Sequence, residues 1–151
     1  MSPSRRFGKI LVAVDGSGSA RRAVDVAIEL AKSLSAELTV LHIVETPVTP
    51  YASDKPVEID VNEPVEAMRT DGERAVPGAA SLAEERGVKA VQRVVRHMGS
   101  AAEGITAYAR SNDIDLIVVG TRGLGGIRKL VMGSVASGVT SSASCCVLVV
   151  R

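Results

Sequence analysis

The sequence has few aromatic residues and almost no net charge, and both shortages argue against nucleic-acid binding. It contains no Trp, one Phe and two Tyr, so the side chains on which proteins stack single-stranded bases are nearly missing. Lys and Arg number 18 against 17 Asp and Glu, which gives a net charge of +1. Because nucleic-acid binding relies on excess positive charge, we expect no nucleic-acid partner.

Long apolar runs are missing as well. The basic start, residues 1–6, precedes an apolar stretch of only five residues, 10–14, which is too short for the apolar part of a signal peptide. No run approaches the roughly 18 apolar residues of a membrane span. The two cysteines, Cys145 and Cys146, are adjacent, so a disulfide between them cannot staple a fold. We therefore expect a cytoplasmic protein with no membrane partner.

The chain does have apolar runs that alternate with helical patterns. Its 151 residues, 46% of them hydrophobic, predict one domain over residues 1–151 with one substantial core. Apolar runs predict five strands, at residues 9–14, 37–44, 88–96, 114–119 and 145–150. Three- and four-residue apolar spacing between the runs predicts helices. Strands that alternate with helices predict an α/β fold, with a parallel sheet covered on both faces.

Some segments carry more specific expectations. Residues 45–63 are rich in proline and predict a long loop. A helix over residues 63–86 contains Pro77 and Gly78, which predict a kink or break. Cys145 and Cys146 fall in the last strand, where we expect them to pack as small buried hydrophobes, and Met98 is assigned to the core.

The fourth strand leads into a glycine-rich stretch with the spacing Gly120-x2-Gly123-x9-Gly133-Ser134. Glycine has no side chain to block a phosphate, and the first N–H groups of a helix are unpaired donors. A helix over residues 135–142 follows, and Ser134 is predicted to cap it. The spacing is not that of a P-loop, which needs Lys-Ser/Thr after its last glycine. Nor is it a dinucleotide fingerprint, because Arg128 stands where the third glycine should be.

This spacing, at the fourth strand of a short α/β chain, resembles the nucleotide-binding members of the universal stress protein family. The resemblance extends over essentially the whole chain. It implies a three-layer, Rossmann-like fold of the adenine nucleotide alpha hydrolase type, with strand order 3-2-1-4-5. It further implies ATP, or AMP or ADP, bound between strands 1 and 4, with Mg²⁺ accompanying the phosphates. A homodimer formed through the C-terminal strand is the implied assembly.

The resemblance also assigns roles to residues at the carboxyl ends of the strands. Asp15, after strand 1, contacts the nucleoside, and Ser17 adds a hydroxyl near the phosphates. The backbone of Ile43 in strand 2 reads the adenine edge. Ribose and phosphate contacts and added positive charge come from Gly120, Arg122, Gly123, Gly133, Ser134 and Val135. Without the resemblance, Asp15 is equally a turn residue, Ser17 or Ser19 a helix cap, and the glycines a flexible surface loop.

The residue types favour binding over catalysis. The sequence offers no activated nucleophile, no paired carboxylates and no Ser-His-Asp arrangement, so we expect a stress-response signalling module with an unknown protein partner. Slow ATP hydrolysis stays open, with Asp15, His42 and His97 as the candidate bases. The main alternative is a stress protein that binds no nucleotide and acts only through dimer and partner contacts, a subclass that lacks the glycine spacing. No residues have transition-metal ligand spacing.

Overall fold

The computed structural model describes residues 7–46, 71–122 and 132–151. Within these ranges the strands are β1 (Lys9–Ala13), β2 (Glu37–Thr46), β3 (Ala90–Met98), β4 (Leu116–Gly120) and β5 (Cys146–Val150). The helices are α1 (Gly18–Leu34), α2 (Asp71–Glu85), α3 (Ala101–Ser111) and α4 (Ser134–Ser142). Most of the predicted loop at 45–63 and the first part of the predicted helix at 63–86 lie outside the described residues.

The strands form a parallel sheet in the order β3-β2-β1-β4-β5, which confirms the predicted fold class and strand order. β1 is central: Ile10 lies opposite Leu38 of β2 on one side and Leu116 of β4 on the other. The chain therefore builds outward from β1 to β3 and then returns to place β4 on the other side of β1. The carboxyl ends of β1 and β4 mark this reversal, which is where open α/β sheets bind ligands.

The core lies in two layers, one on each face of the sheet. Ile10 and Val12 of β1 pack toward α1 and α2, whereas Leu11 between them packs toward α3 and α4. All three side chains are fully buried, as expected for a strand covered on both faces. This explains why the central strands appear in the sequence as unbroken apolar runs.

Of the predicted kink or break at Pro77, the break is wrong, because α2 is one continuous helix across this residue. Pro77 is exposed, while Val76 and Ala80 beside it are buried against the sheet. Proline removes one backbone hydrogen bond, here on the solvent side of the helix. Packing of the opposite face outweighs that loss.

The two outer strands correct the expectations for Cys145, Cys146 and Met98. In the described chain β5 pairs only with β4, so Cys146 is exposed and Cys145 is only half-buried. Partial burial raises the pKa of the Cys145 thiol, and the neighbouring Cys146 adds to this effect. Met98 ends β3 at the other edge and is 71% exposed rather than part of the core.

Candidate functional site

A cavity of about 450 Å³ opens where the carboxyl ends of β1 and β4 meet. Its wall comes from the ends of β1, β2 and β4 and from the first turns of α1, α3 and α4. The lining residues are Ala13, Val14, Asp15, Ala20, Leu41, His42, Ile43, Ala101, Ile105, Val119, Gly120, Thr121, Arg122, Met132, Gly133, Ser134, Val135 and Ala136. A pocket of this volume suits a small organic ligand.

Asp15 lies two residues beyond β1 and is half-buried at the cavity wall. Its Oδ1 accepts a hydrogen bond of 2.9 Å from the Ser17 N–H, which fixes the carboxylate in a local turn. Just before it, the Val14 carbonyl lies 2.7 Å from Nδ1 of His42. A carbonyl can only accept, so Nδ1 carries the proton. The peptide that carries Asp15 is thereby held from both sides.

One side of the cavity is an apolar wall formed by β2, β4 and α3. Leu41 and Ile43 lie in the central part of β2, Val119 lies at the end of β4, and Ile105 faces them from α3. Ile43 is 6% exposed, and α3 lies so close to it that a Cβ on Gly104 would fall 2.8 Å from Ile43 Cγ2. This wall offers a flat apolar ligand a preformed surface.

The end of β4 is held against the start of α1. A Cβ added to Gly120 would fall 2.7 Å from the backbone carbonyl carbon of Ser19, closer than real Cβ atoms come. Glycine is therefore required here for packing between β4 and α1, whatever the cavity binds. Beyond it, Thr121 and Arg122 line the cavity, and Gly123 lies outside the described residues.

Ser17 lies behind the cavity wall, where it bonds to α1 and to Arg122. Its hydroxyl accepts the Ala20 N–H at 3.1 Å, which makes it the N-cap of α1. The same oxygen lies 3.3 Å from the Arg122 carbonyl, to which it donates. The residue is 8% exposed and does not line the cavity, so the structure places Ser17 against Asp15 and Arg122 but not at the cavity surface.

The start of α4 differs from the prediction in one respect that bears on its chemistry. Gly133, not Ser134, is the N-cap, and Ser134 is the first helical residue. The expected capping bond from Ser134 is therefore wrong: an N-cap needs an extended backbone, and the φ of −61° and ψ of 163° occur at Gly133. Gly133 has no side chain, so within the described residues the first N–H groups of α4 have no side-chain cap.

The two other helices whose N-caps are described, α1 and α3, do have side-chain caps. Ser17 caps α1, and Ser100 caps α3 by accepting the Glu103 N–H at 3.2 Å. In α3 the Ala101 N–H is also taken, by Oε1 of Glu45 at 2.7 Å. Among these three starts, α4 alone presents uncapped donors, and it does so at the cavity wall.

The structure brings together most of the residues predicted for the site. They are Asp15, Ile43, Gly120, Arg122, Gly133, Ser134 and Val135. The apolar wall from Leu41, Ile105 and Val119 was missed, although Val119 ends a predicted strand, and this position is a usable signal. His42, one of the candidate bases, lines the cavity, and its Nδ1 bonds to the Val14 carbonyl.

Within the described ranges, two kinds of feature are absent. They contain no cluster of three or more His, Cys, Asp or Glu side chains that is arranged to hold a metal ion. None of their helices combines the length and the apolar run that crossing a bilayer requires.

Comparison with known proteins agrees with this fold. Residues 6–151 match the model of the Universal stress protein family. Universal stress protein YxiE of Bacillus subtilis is 34% identical over 149 residues, which cover 96% of this chain and 99% of that protein. A universal stress protein family structure from Burkholderia pseudomallei has a TM-score of 0.71 at 32% identity, and the match covers 98% of each chain. A universal stress protein solved in complex with cAMP also has a TM-score of 0.71, at 27% identity, covering 97% of this chain and 98% of that one. The chain belongs to the universal stress protein family.

Proposed function

We propose that this protein binds an adenine nucleotide, with ATP as the first candidate and ADP and AMP as the others, in the cavity between β1 and β4. The observation that carries the proposal is the uncapped start of α4 at the cavity wall, because unpaired N–H donors at a helix start attract phosphate. The relative solved with cAMP supports an adenine nucleotide as the ligand class.

The base fits the apolar wall. Leu41 and Ile43 lie in the central part of β2, and α3 packs tightly on Ile43. We propose that adenine lies along this wall and that the backbone of Ile43 pairs with its edge. An apolar surface with a few backbone donors and acceptors is the usual composition of such pockets.

The sugar fits Asp15. Its Oδ1 is occupied by the Ser17 N–H, and Oδ2 has no partner in the described part of the chain. A half-buried carboxylate oxygen in a fixed orientation is a strong acceptor for hydroxyl groups. We propose that Oδ2 accepts from the ribose hydroxyls, which also gives the Asx turn after β1 a function.

The phosphates fit α4. The N–H groups of Ser134 and Val135 stand in its first turn, where the helix dipole adds about half a positive charge. Arg122 contributes a full charge beside it, because the Thr121 carbonyl accepts the Gly133 N–H. The starts of α1 and α3 are less suitable because their own side chains already cap them. Mg²⁺, where present, is proposed to be held by phosphate oxygens and water rather than by a protein cage.

We propose a binding and signalling role rather than rapid turnover. The titratable side chains that line the cavity are Asp15, His42 and Arg122. Asp15 Oδ1 and His42 Nδ1 are both engaged in fixing the backbone after β1. These bonds give both side chains a structural role, which favours binding over ATP hydrolysis.

The assembly we propose is a homodimer through β5. This strand is an edge of the sheet, and Leu148 at its centre is 36% exposed. An apolar edge strand is a template for pairing, and a second copy of the chain satisfies it with an identical strand. A signalling partner would then recognise the dimer, with or without nucleotide.

Isothermal titration calorimetry with ATP, ADP, AMP and adenosine tests the proposal on the full chain. We expect one site per chain and tighter binding of the phosphorylated ligands than of adenosine. Mass spectrometry of small molecules released on denaturation, together with an assay for phosphate release, identifies the retained ligand and any hydrolysis. The absence of both heat and released nucleotide would favour the alternative, a family member that works only through dimer and partner contacts.

A further inference from the structure

Thr121 and Arg122 lie just outside β4, yet their backbone is fixed by hydrogen bonds. All four of their backbone polar groups are hydrogen-bonded. The Thr121 N–H donates to the Val150 carbonyl at 2.9 Å, and the Thr121 carbonyl accepts from the Gly133 N–H at 2.6 Å. The Arg122 N–H donates to Ser19 Oγ at 3.3 Å, and its carbonyl accepts from Ser17 Oγ, also at 3.3 Å.

Ser19 contributes to this arrangement in three ways. It is the second residue of α1 and is 6% exposed. Its hydroxyl accepts the Arg122 N–H and lies 3.5 Å from Oγ1 of Thr121, and its backbone lies where a Cβ on Gly120 would fall. Ser19 therefore contacts three consecutive residues at the end of β4 without lining the cavity itself.

These bonds are unusual for a serine in a helix. A hydroxyl in such a position ordinarily bonds to its own backbone nearby. The hydroxyls of Thr140 and Ser141 in α4 do this, bonding to carbonyls four residues earlier. Ser19 instead bonds to residues more than 100 positions away in the chain.

From these contacts we infer that Ser19 is a positioning residue for phosphate binding, an inference that rests on the proposed function. By accepting the Arg122 N–H, Ser19 fixes the backbone position from which the Arg122 side chain extends. Through Thr121, whose carbonyl bonds the Gly133 N–H, the same contacts fix the start of α4. Arg122 and α4 are the two proposed phosphate-binding elements, so Ser19 sets their separation. The proposed positions of adenine and ribose depend on β2 and Asp15, so a change at Ser19 should leave them unaltered.

The test compares ATP with adenosine in Ser19→Ala and in a matched control, Ser141→Ala. The control removes a serine hydroxyl that bonds within its own helix. Loss of one aligned hydrogen bond in Ser19→Ala should weaken ATP binding by about five- to tenfold, and adenosine binding by less than about twofold. Ser141→Ala should change neither. Ser19→Cys keeps nearly the same volume with a poorer acceptor and should reproduce the ATP-selective loss even if the alanine variant is unstable.

Amide hydrogen exchange of the ligand-free protein gives a readout that needs no nucleotide. Exchange at the Arg122 N–H should be at least about tenfold faster in Ser19→Ala than in the wild type, because its acceptor is gone. Equal losses of ATP and adenosine affinity would mean a general structural role and would overturn the inference. If the wild type binds ATP and Ser19→Ala binds it with the same affinity, this inference alone is overturned. If the wild type binds no nucleotide, the proposed function and this inference are overturned together.

Discussion

Replacing Gly133 by aspartate should move the stability of the protein and its affinity for ATP in opposite directions. Gly133 is the N-cap of α4, and its φ of −61° and ψ of 163° are open to any residue. An aspartate there can accept the first N–H groups of the helix, which now have no side-chain cap. The same N–H groups are the proposed phosphate donors, so the new carboxylate competes for them.

Both effects can be estimated. A capping carboxylate at an N-terminus is worth about 0.5–1 kcal/mol from the cap and the helix dipole together. In a chain of this size that raises the melting temperature by about 1–4 °C. Two unit charges ~4 Å apart at an effective dielectric constant of ~20 repel by about 4 kcal/mol. Water in the open cavity reduces this to about 2–4 kcal/mol, which is roughly 30- to 700-fold in the Kd for ATP.

Calorimetry with ATP and adenosine, and thermal unfolding without ligand, measure the two effects. Gly133→Asn is the matched control because asparagine caps a helix with nearly the same shape and no charge. It should stabilise the protein slightly and reduce ATP affinity by less than about tenfold. Adenosine binding should survive in both variants. The reasoning is refuted if Gly133→Asp binds ATP within twofold of the wild type, or if Gly133→Asn loses as much affinity as Gly133→Asp.

Two further predictions concern packing and assembly. Gly120→Ala should lower the free energy of unfolding by about 1–3 kcal/mol in chemical denaturation, because its Cβ meets the Ser19 backbone. Gly78→Ala, in α2 with nothing within 4 Å of its Cβ, should raise that free energy by about 0.5–1 kcal/mol, and equal effects of the two variants would contradict the packing argument. For the dimer, light scattering should give twice the chain mass for the wild type and the monomer mass for Leu148→Lys. Val94→Lys makes the same change at an exposed position of the opposite edge strand and should stay dimeric; a dimer lost in Val94→Lys and kept in Leu148→Lys would place the interface on β3.

The fold could be predicted largely because its central strands are buried on both faces. A strand such as β1 must then be apolar at every position, and a run like residues 10–14 has few other interpretations. Helix α2 was harder, since the sequence does not show that Pro77 would face solvent. The cysteines were misplaced for a related reason: apolar content alone does not tell an edge strand from a central one.

The site was predictable where a residue type is demanded by local backbone chemistry. Asp15 lies just beyond β1 and Gly120 ends β4, so the positions of both are set by the strands themselves. The N-cap of α4 was displaced by one residue because φ and ψ, not composition, decide whether Gly133 or Ser134 precedes the helix. Ser19 could not be assigned its partners, because these lie more than 100 residues away and meet it only after the sheet has formed.

The hydrogen bond between the Gly133 N–H and the Thr121 carbonyl has a consequence for how this protein can be changed. It joins the two ends of the segment from 122 to 132 at a point already fixed by β5 and α1. Lengthening a segment whose ends are fixed costs little, about 0.6 kcal/mol for each doubling of its length. Insertions and deletions between these two residues should therefore leave the sheet as it is. Thr121 and Gly133 are therefore the natural boundaries for exchanging this segment between family members.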